Sequence, residues 1–448
     1  MSTILPDHVI ASEQRPQAVD VVVIGGGIVG VSTALFLAER GISVALCEKG
    51  LVGAEQSGRN WGWVRQMGRD PAELPLAMES LALWRGMNAR IGEETGFRQT
   101  GITYLCTNAR ETLAYEQWLE HARAYQIDSR LLRPHELAPL LPGMSNGFVS
   151  GLYTSTDGRA EPTKATPAIA RAAARAGAHI LTNCAVRGVE TAGGRVSGVV
   201  TEHGPIRCSS AVLAGGAWSR LFAGNLGVDF PQLKILGTVA RLGPVTGVPD
   251  MPVGGGNFAF RKRLDGGYSI AMRNANVVPI VPDSFRLFAD FVPSLIKQWH
   301  ELKLRIGSRF LEEWRTPRQW DLDEISPFER VRVLDPVPVE RFNQNGLLNV
   351  IKAFPAFAGA RIQQSWSGLI DVTPDAVPVI GPIERIPGFF LASGFSGHGF
   401  GIGPGAGHLV ADIVTGAQPR VDPTPFRLER FSKSSVPVSR AAINDSRG

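Results

Sequence analysis

The feature that most restricts this chain is a short apolar run that empties into glycines. Val21-Val22-Val23-Ile24 is wholly apolar and rich in β-branched residues, the pattern of a strand buried on both faces of a parallel sheet. It leads into Gly25-Gly26-Gly27-Ile28-Val29-Gly30, after which residues 31–40 are helical in composition and Gly41 is placed to end the helix. Residues 42–47 read as a second strand, and Glu48 stands at its end, 18 residues past Gly30. Gly25, Gly27 and Gly30 thus form G-x-G-x-x-G between a strand and a helix, with an acid closing the next strand. Bare backbone there can approach a pyrophosphate, the helix N-terminus stabilises its charge, and Glu48 accepts hydrogen bonds from ribose hydroxyls. The plain alternative is a tight strand–helix turn with no ligand. The following loop, Gly53-Ala54-Glu55-Gln56-Ser57-Gly58-Arg59-Asn60, offers small residues, a hydroxyl, a guanidinium and amides. Taken alone it reads as a polar surface loop; in this place it could also wrap the far side of a pyrophosphate and reach a flavin ring, where a nicotinamide enzyme would more often continue with a second βαβ unit.

Two further glycine-rich turns follow strand-like runs. Residues 206–213 lead into Ala214-Gly215-Gly216-Ala217-Trp218-Ser219. Residues 389–392 lead into 393–407, with a helix expected from about residue 405 to 415. A large ligand gripped from both chain ends implies a discontinuous ligand domain. Between these lie helices over residues 76–91, 109–125 and 161–175, strands at 102–106, 179–182, 185–190 and 195–201, and a hairpin turn at Gly193-Gly194. The 448 residues allow several domains, and 44% hydrophobic with 19% charged residues is an ordinary globular balance. No run of 18 apolar residues exists, and the first twenty residues carry no signal-peptide pattern. Four scattered cysteines give neither a zinc spacing nor a dense disulfide framework, which points to a cytoplasmic protein without a metal site. The net charge of +5 is spread along the chain, which argues against nucleic-acid binding and leaves contact with an anionic membrane surface open.

Taken together these residues resemble the FAD-dependent D-amino-acid oxidase, glycine oxidase and sarcosine oxidase group, and within it the bacterial membrane-associated L-amino-acid deaminases. The likeness runs over residues 18–431. It is carried by residues 56–59 (QSGR), 83–88 (LWRGMN), 182–194 (TNCAVRGVETAGG), 212–222 (VLAGGAWSRLF) and 422–426 (DPTPF). The resemblance implies an α/β fold, with a Rossmann-like FAD-binding domain assembled from residues 18–83, 150–235 and 365–431. A mixed-sheet, α+β substrate domain is expected from residues 84–149 and 236–364, with an insert at about 284–330 and tails at 1–17 and 432–448. FAD is expected to be held without a covalent bond, by Gly25, Gly27, Gly30, Glu48 and Lys49, by Ser57, Gly58, Arg59 and Asn60, by Val186, Gly215 and Trp218, and by Gly399, Phe400, Gly401 and Ile402.

The resemblance also places Arg273 where the deaminases keep the arginine for the substrate carboxylate, a role that suits a guanidinium fork. Read alone, Arg273 is an ordinary surface arginine. His398 and Ala275 stand where the deaminases carry aromatic residues, Trp63 replaces a polar pocket residue, and the N-terminal anchoring helix is missing. Arg273, His398 and Trp63 are the expected catalytic-site residues, with Trp61 and Phe400 as pocket walls or core. The implied chemistry is oxidation of the CH–NH bond of an amino acid to an imine that hydrolyses to a keto acid, with oxygen or a respiratory quinone as electron acceptor. A D-amino-acid dehydrogenase, a secondary-amine enzyme acting on sarcosine, an opine or an imino acid, and an FAD-binding subunit of a larger dehydrogenase stay open. So does the oligomeric state. Residues 283–307 carry Phe285, Phe288, Phe291, Ile296 and Trp299, and the stretch 294–306 reads as an amphipathic helix after Pro293. Such a helix lies in a membrane interface at the inner face or packs in a core or dimer.

Overall fold

Strand Val21–Ile24 lies inside a six-stranded sheet, and all four of its residues are buried. The computed structural model describes residues 4–273, 275–298 and 302–432. From one edge the sheet runs Val379–Pro382, Phe389–Ser393, Ser210–Leu213, Val21–Ile24, Val44–Cys47 and His179–Leu181. Every pairing is parallel except that of the two strands at the first edge. One sheet therefore takes strands from both ends of the chain, as a discontinuous ligand domain requires. The sheet places three glycine-rich strand ends, at Gly25, Gly215 and Gly394, beside one another. A three-stranded meander, Val186–Ala192, Arg195–Thr201 and Gly204–Arg207, packs against it. The single run expected at 206–213 is two strands, because residues 208–209 break the ladder between meander and main sheet.

Every residue of helix Ile28–Ala38 is buried. Helices Pro162–Arg175 and Gly399–Thr415 pack on it, which explains its apolar composition all round. The last helix starts at Gly399, six residues before the expected start. Glycine and Pro404 lower helix propensity, but packing overrides it. A Cβ on Gly403 would stand 2.8 Å from the Ile28 side chain, and one on Gly407 2.5 Å from Ser32 Cβ. Only bare backbone lets the two helices approach so closely.

The second sheet has ten strands, with Leu233–Leu242 and Ile362–Val372 forming its longest antiparallel pair. Strand Ser150–Thr154 belongs to this sheet, although residue 150 opens a segment assigned in sequence to the other domain. The boundary expected at 83/84 falls inside helix Leu74–Ile91, which packs as one piece on Gly399–Thr415. In the insert the helix is Phe288–Gln298, with Pro293 inside it. Leu302–Arg305 is not helical but a strand parallel to Asn276–Pro279. Its Leu-Lys-Leu-Arg alternation carries the period of a strand, and an open sheet edge gives it a partner. Trp299 and the tail at 433–448 lie outside the described residues.

Candidate active site

The strand ends open onto a cleft of about 1220 Å³, counted to its open mouth. Gly25, Gly27, Glu48, Lys49, Ser57 and Asn60 line it from the N-terminal segment. Val186, Gly215, Trp218, Gly399 and Phe400 line it from the rest of the chain. Gly25 has φ +112°, and a Cβ there would meet the Ala214 carbonyl oxygen at 2.5 Å, so two strand ends meet through a position only glycine fills. Glu48 closes its strand with Oε2 accepting from the Gly26 N–H at 2.6 Å and Oε1 from the Gly50 N–H at 2.8 Å. Burial pushes its carboxyl pKa up, against the pull of Lys49 and of those two amides. Ser57 Oγ accepts from the Ile28 N–H at 2.9 Å, joining the second loop to the first helix. Lys49 stands 4.5 Å over the Trp218 ring and binds Glu55 at 2.7 Å, while Trp218 donates to Glu55 at 3.0 Å. Gln56 Oε1 is buried without a hydrogen-bond partner and lies against Gly368, where a built Cβ would stand 2.2 Å from it. A backbone-lined mouth and a carboxylate at a strand end fit a dinucleotide.

Five of the expected cofactor residues lie behind this wall. Cβ atoms on Gly30 and Gly58 would stand 2.0 and 2.3 Å from the Gly25 and Gly53 carbonyl oxygens, so both serve the turns themselves. Gly401 accepts from Ser80 Oγ at 2.8 Å and Trp84 Nε1 at 2.9 Å, and Ile402 is core. Arg59 does not reach the cleft. Its Nε donates to the Ala54 carbonyl and its Nη1 to the Ser367 carbonyl and Asp335, while Nη2 is buried without a hydrogen-bond partner, because the short helix Gln56–Arg59 turns the side chain toward strand Ile362–Val372.

A second group stands beyond Phe400, at the N-terminus of the last helix. His398 caps that helix, and its Nδ1 lies 3.0 Å from Glu73 Oε2. Burial and the neighbouring Arg69 lower the His398 pKa to about 4, outweighing Glu73. Glu73 is fully buried, but His398 and Arg69 outweigh that burial and hold its carboxyl ionised. An ionised carboxylate only accepts, so Nδ1 carries the proton and Nε2 is left as an acceptor. Trp63 comes within this group through its carbonyl oxygen, 3.1 Å from where a Cβ on Gly401 would sit. Its ring lies 5.5 Å from that of Tyr104. Arg273 is joined to the site by the same tyrosine. Its guanidinium carbon stands 4.2 Å from the Tyr104 ring centre, and Nη1 donates to the Gly255 carbonyl at 3.2 Å. Tyr115 stacks on Tyr104 and hydrogen-bonds Arg273. Tyr104 thus joins Trp63 and Arg273, while His398 stands apart from that ring with Glu73 and Arg69; Tyr104, Arg65, Arg69 and Glu73 are not among the residues the sequence singles out. The pair Arg65 and Arg69, one helical turn's spacing after Trp63, was the available signal.

Residues 20–413 match the family described as FAD dependent oxidoreductase. Among curated proteins the chain is similar to the mitochondrial sarcosine dehydrogenase of Mus musculus, 26% identical over 96% of this chain and 43% of that protein. The chain therefore spans about two-fifths of the length of that relative. Among solved structures it resembles the L-amino acid deaminase of Proteus myxofaciens in complex with anthranilate, at 36% identity and TM-score 0.92, covering 96% of this chain and 97% of that one. The L-amino acid deaminase of Proteus vulgaris gives 32% identity and TM-score 0.91, covering 95% and 100%.

Proposed function

The chain belongs to the family of FAD dependent oxidoreductases, and we propose that it oxidises the CH–NH bond of an amino acid to an imine, which water converts to a keto acid. The observation that carries this reading is Arg273, held over the Tyr104 ring that also packs against the indole of Trp63. A guanidinium held on an aromatic face is oriented before substrate arrives, so its fork meets a carboxylate at low entropic cost. Bound FAD would supply the two-electron oxidising chemistry, a hydride acceptor for the carbon bearing the amine, with oxygen or a quinone as the proposed final electron acceptor. The glycine turns at residues 25–27 and 215 and the carboxylate of Glu48 would hold its dinucleotide. His398 Nε2 accepts a hydrogen bond from the amine and keeps its lone pair directed. Trp61 and Trp63, 5.6 Å apart edge to face, exclude water from the reacting carbon. The N-terminus of helix Gly399–Thr415 supplies amides for negative charge at that end of the cleft. The amino-acid deaminases among its structural likenesses support the same reading.

The test is anaerobic bleaching of the flavin absorption by a panel of L-, D- and N-alkyl amino acids. Bleaching by amino acids, with release of a keto acid, is the expected result. Bleaching only by amines that lack a carboxylate would overturn it. Contact with the inner face of a membrane, where a quinone takes the electrons, is part of the proposal. Its support is the exposure of Phe285, Phe288, Ile296 and Trp314 on the insert, at 60–71% of their surface. Among the described residues no helix is long and apolar enough to cross a membrane.

A further inference from the structure

The dinucleotide cleft has a wall that the two-ended sheet does not supply. Between residues 222 and 369 its lining residues are Phe328 and Arg332, from the stretch that leads out of the insert. Helix Pro327–Arg330 carries Phe328, and residues 331–335 run on from it as neither helix nor strand.

The rim of the cleft holds this stretch in place. Lys49 Nζ donates to the carbonyls of Val331 and Arg332 at 2.8 and 3.0 Å. Arg332 Nη1 donates back to the Lys49 carbonyl at 3.1 Å, and Glu55 accepts from the Leu334 N–H at 3.0 Å. A Cβ on Gly50 would stand 2.3 Å from the Arg332 carbonyl oxygen, so the stretch lies against the turn that follows Glu48. Ion pairs tie down both ends. Glu329 accepts from Nε and Nη2 of Arg187 at 3.0 Å each, and Asp335 pairs with Arg59. Phe328 is buried, edge-on to Trp218 at 5.9 Å and to Trp320 at 5.4 Å. Fixing a connection that has no ladder of its own costs conformational entropy, and here side chains of the cleft rim offset it.

Its place along the cleft says which part of a dinucleotide it meets. Glu48 is the carboxylate assigned to the ribose, and Arg332 bonds to the residue after it. Glu202 closes the same corner. Both of its oxygens pair with Arg332, with Nη2 to Oε2 at 2.5 Å, and Oε1 also accepts from the Ala185 N–H at 2.7 Å, one residue before Val186. A bidentate pair fixes a guanidinium in one plane and leaves its faces free to stack on an aromatic base.

We propose that residues 327–335 form a strap over the adenosine half of bound FAD, with the Arg332 guanidinium, held by Glu202, packed on the adenine and Phe328 closing the cleft beside Trp218. The segment assigned in sequence to the substrate domain and its insert thereby governs retention of the cofactor. The strap requires the family's cofactor and no particular substrate, so it stands or falls apart from the amine-oxidation reading.

The experiment dilutes the FAD-loaded full chain into flavin-free buffer and follows release by flavin fluorescence. Arg332→Met is expected to speed release by about tenfold, with the absorption maximum of the bound flavin unmoved. Arg332→Lys should fall between the two, since an ammonium keeps the charge but not the plane. Release at the wild-type rate from Arg332→Met overturns the proposal. So does faster release with a shifted absorption maximum, which would put the effect at the flavin ring. A second measurement needs no variant. In the wild-type chain, amide hydrogen exchange at residues 331–334 should quicken by about tenfold on removal of FAD, and by more than at strand Leu233–Leu242. An equal change at both places overturns the strap.

Discussion

Arg273 and His398 have different roles in the proposed site. In that proposal Arg273 gives the substrate carboxylate a charge-assisted bidentate contact, whose loss costs about 2–4 kcal/mol in binding and orientation. Arg273→Ala is then expected to lower kcat/KM on the best amino-acid substrate by about 30- to 1,000-fold, with FAD content unchanged. Arg273→Lys should recover only part, since an ammonium lacks the fork. Wild-type kinetics for the alanine variant would move the carboxylate elsewhere. His398 acts through its neutrality. Its pKa falls from 6.5 to about 4 on folding, so between those values the unfolded chain binds more protons. The stability it contributes is present above pH 6.5 and is lost as pH falls toward 4. Glu73, lowered as well, adds the same sign at lower pH, and Asp157, raised, has the opposite sign and is common to both proteins. Replacing His398 by Gln should shrink the fall in Tm between pH 7 and pH 5 by about 1–4 °C. An identical fall in both proteins would mean the imidazole does not titrate as its surroundings demand.

Glycines in helices make the contrast at the scale of elements. Gly407 belongs to helix Gly399–Thr415, and a Cβ on it would stand 2.6 Å from the Thr33 backbone nitrogen, so neither helix has a flexible end to move. Gly407→Ala is expected to destabilise by about 1–3 kcal/mol and to speed FAD loss, because the helix it displaces carries Gly399 and Phe400 to the cleft. Gly86 lies in the exposed face of helix Leu74–Ile91 with no atom within 4 Å of a built Cβ. Gly86→Ala should stabilise by about 0.5–1 kcal/mol, from helix propensity alone. Thermal unfolding and flavin release read both. Opposite signs are expected, and a Gly407→Ala protein as stable as wild type would mean the helices are not held together through bare backbone. The same contact explains why the sequence placed this helix late. Local propensity runs against a start at Gly399, and the partner that reverses the balance, helix Ile28–Ala38, lies some 370 residues earlier.

For the whole molecule the open question is what the insert meets. Phe285 and Phe288 are 67% and 60% exposed, and Trp314 is 67% exposed. Replacing all three with Ser is expected to lower co-sedimentation with anionic liposomes several-fold while leaving flavin reduction by substrate in place. If the wild-type protein never pellets with such liposomes, a second copy or another protein covers this surface.

The strand, the three glycine-bearing runs and Glu48 were legible in the sequence because each is local. A buried strand, a tight turn and a helix start are set by neighbouring residues, and their order along the chain already required one sheet built from both ends. The resemblance carried Arg273 and His398, but not their partners. Tyr104 comes from a different segment than Arg65, Arg69 and Glu73, and apart from the four-residue spacing of the two arginines nothing local marks them. Arg59 shows the converse: its loop reads as cofactor-binding, yet a single turn of helix aims it at a strand some 300 residues away. Sequence by itself determined that a dinucleotide fold would form, since hydrophobic period and turn chemistry act over a few residues. Only the tertiary structure decided which charges share a pocket, because Coulomb energy and desolvation depend on distances that the chain sets only when its two sheets close on one another.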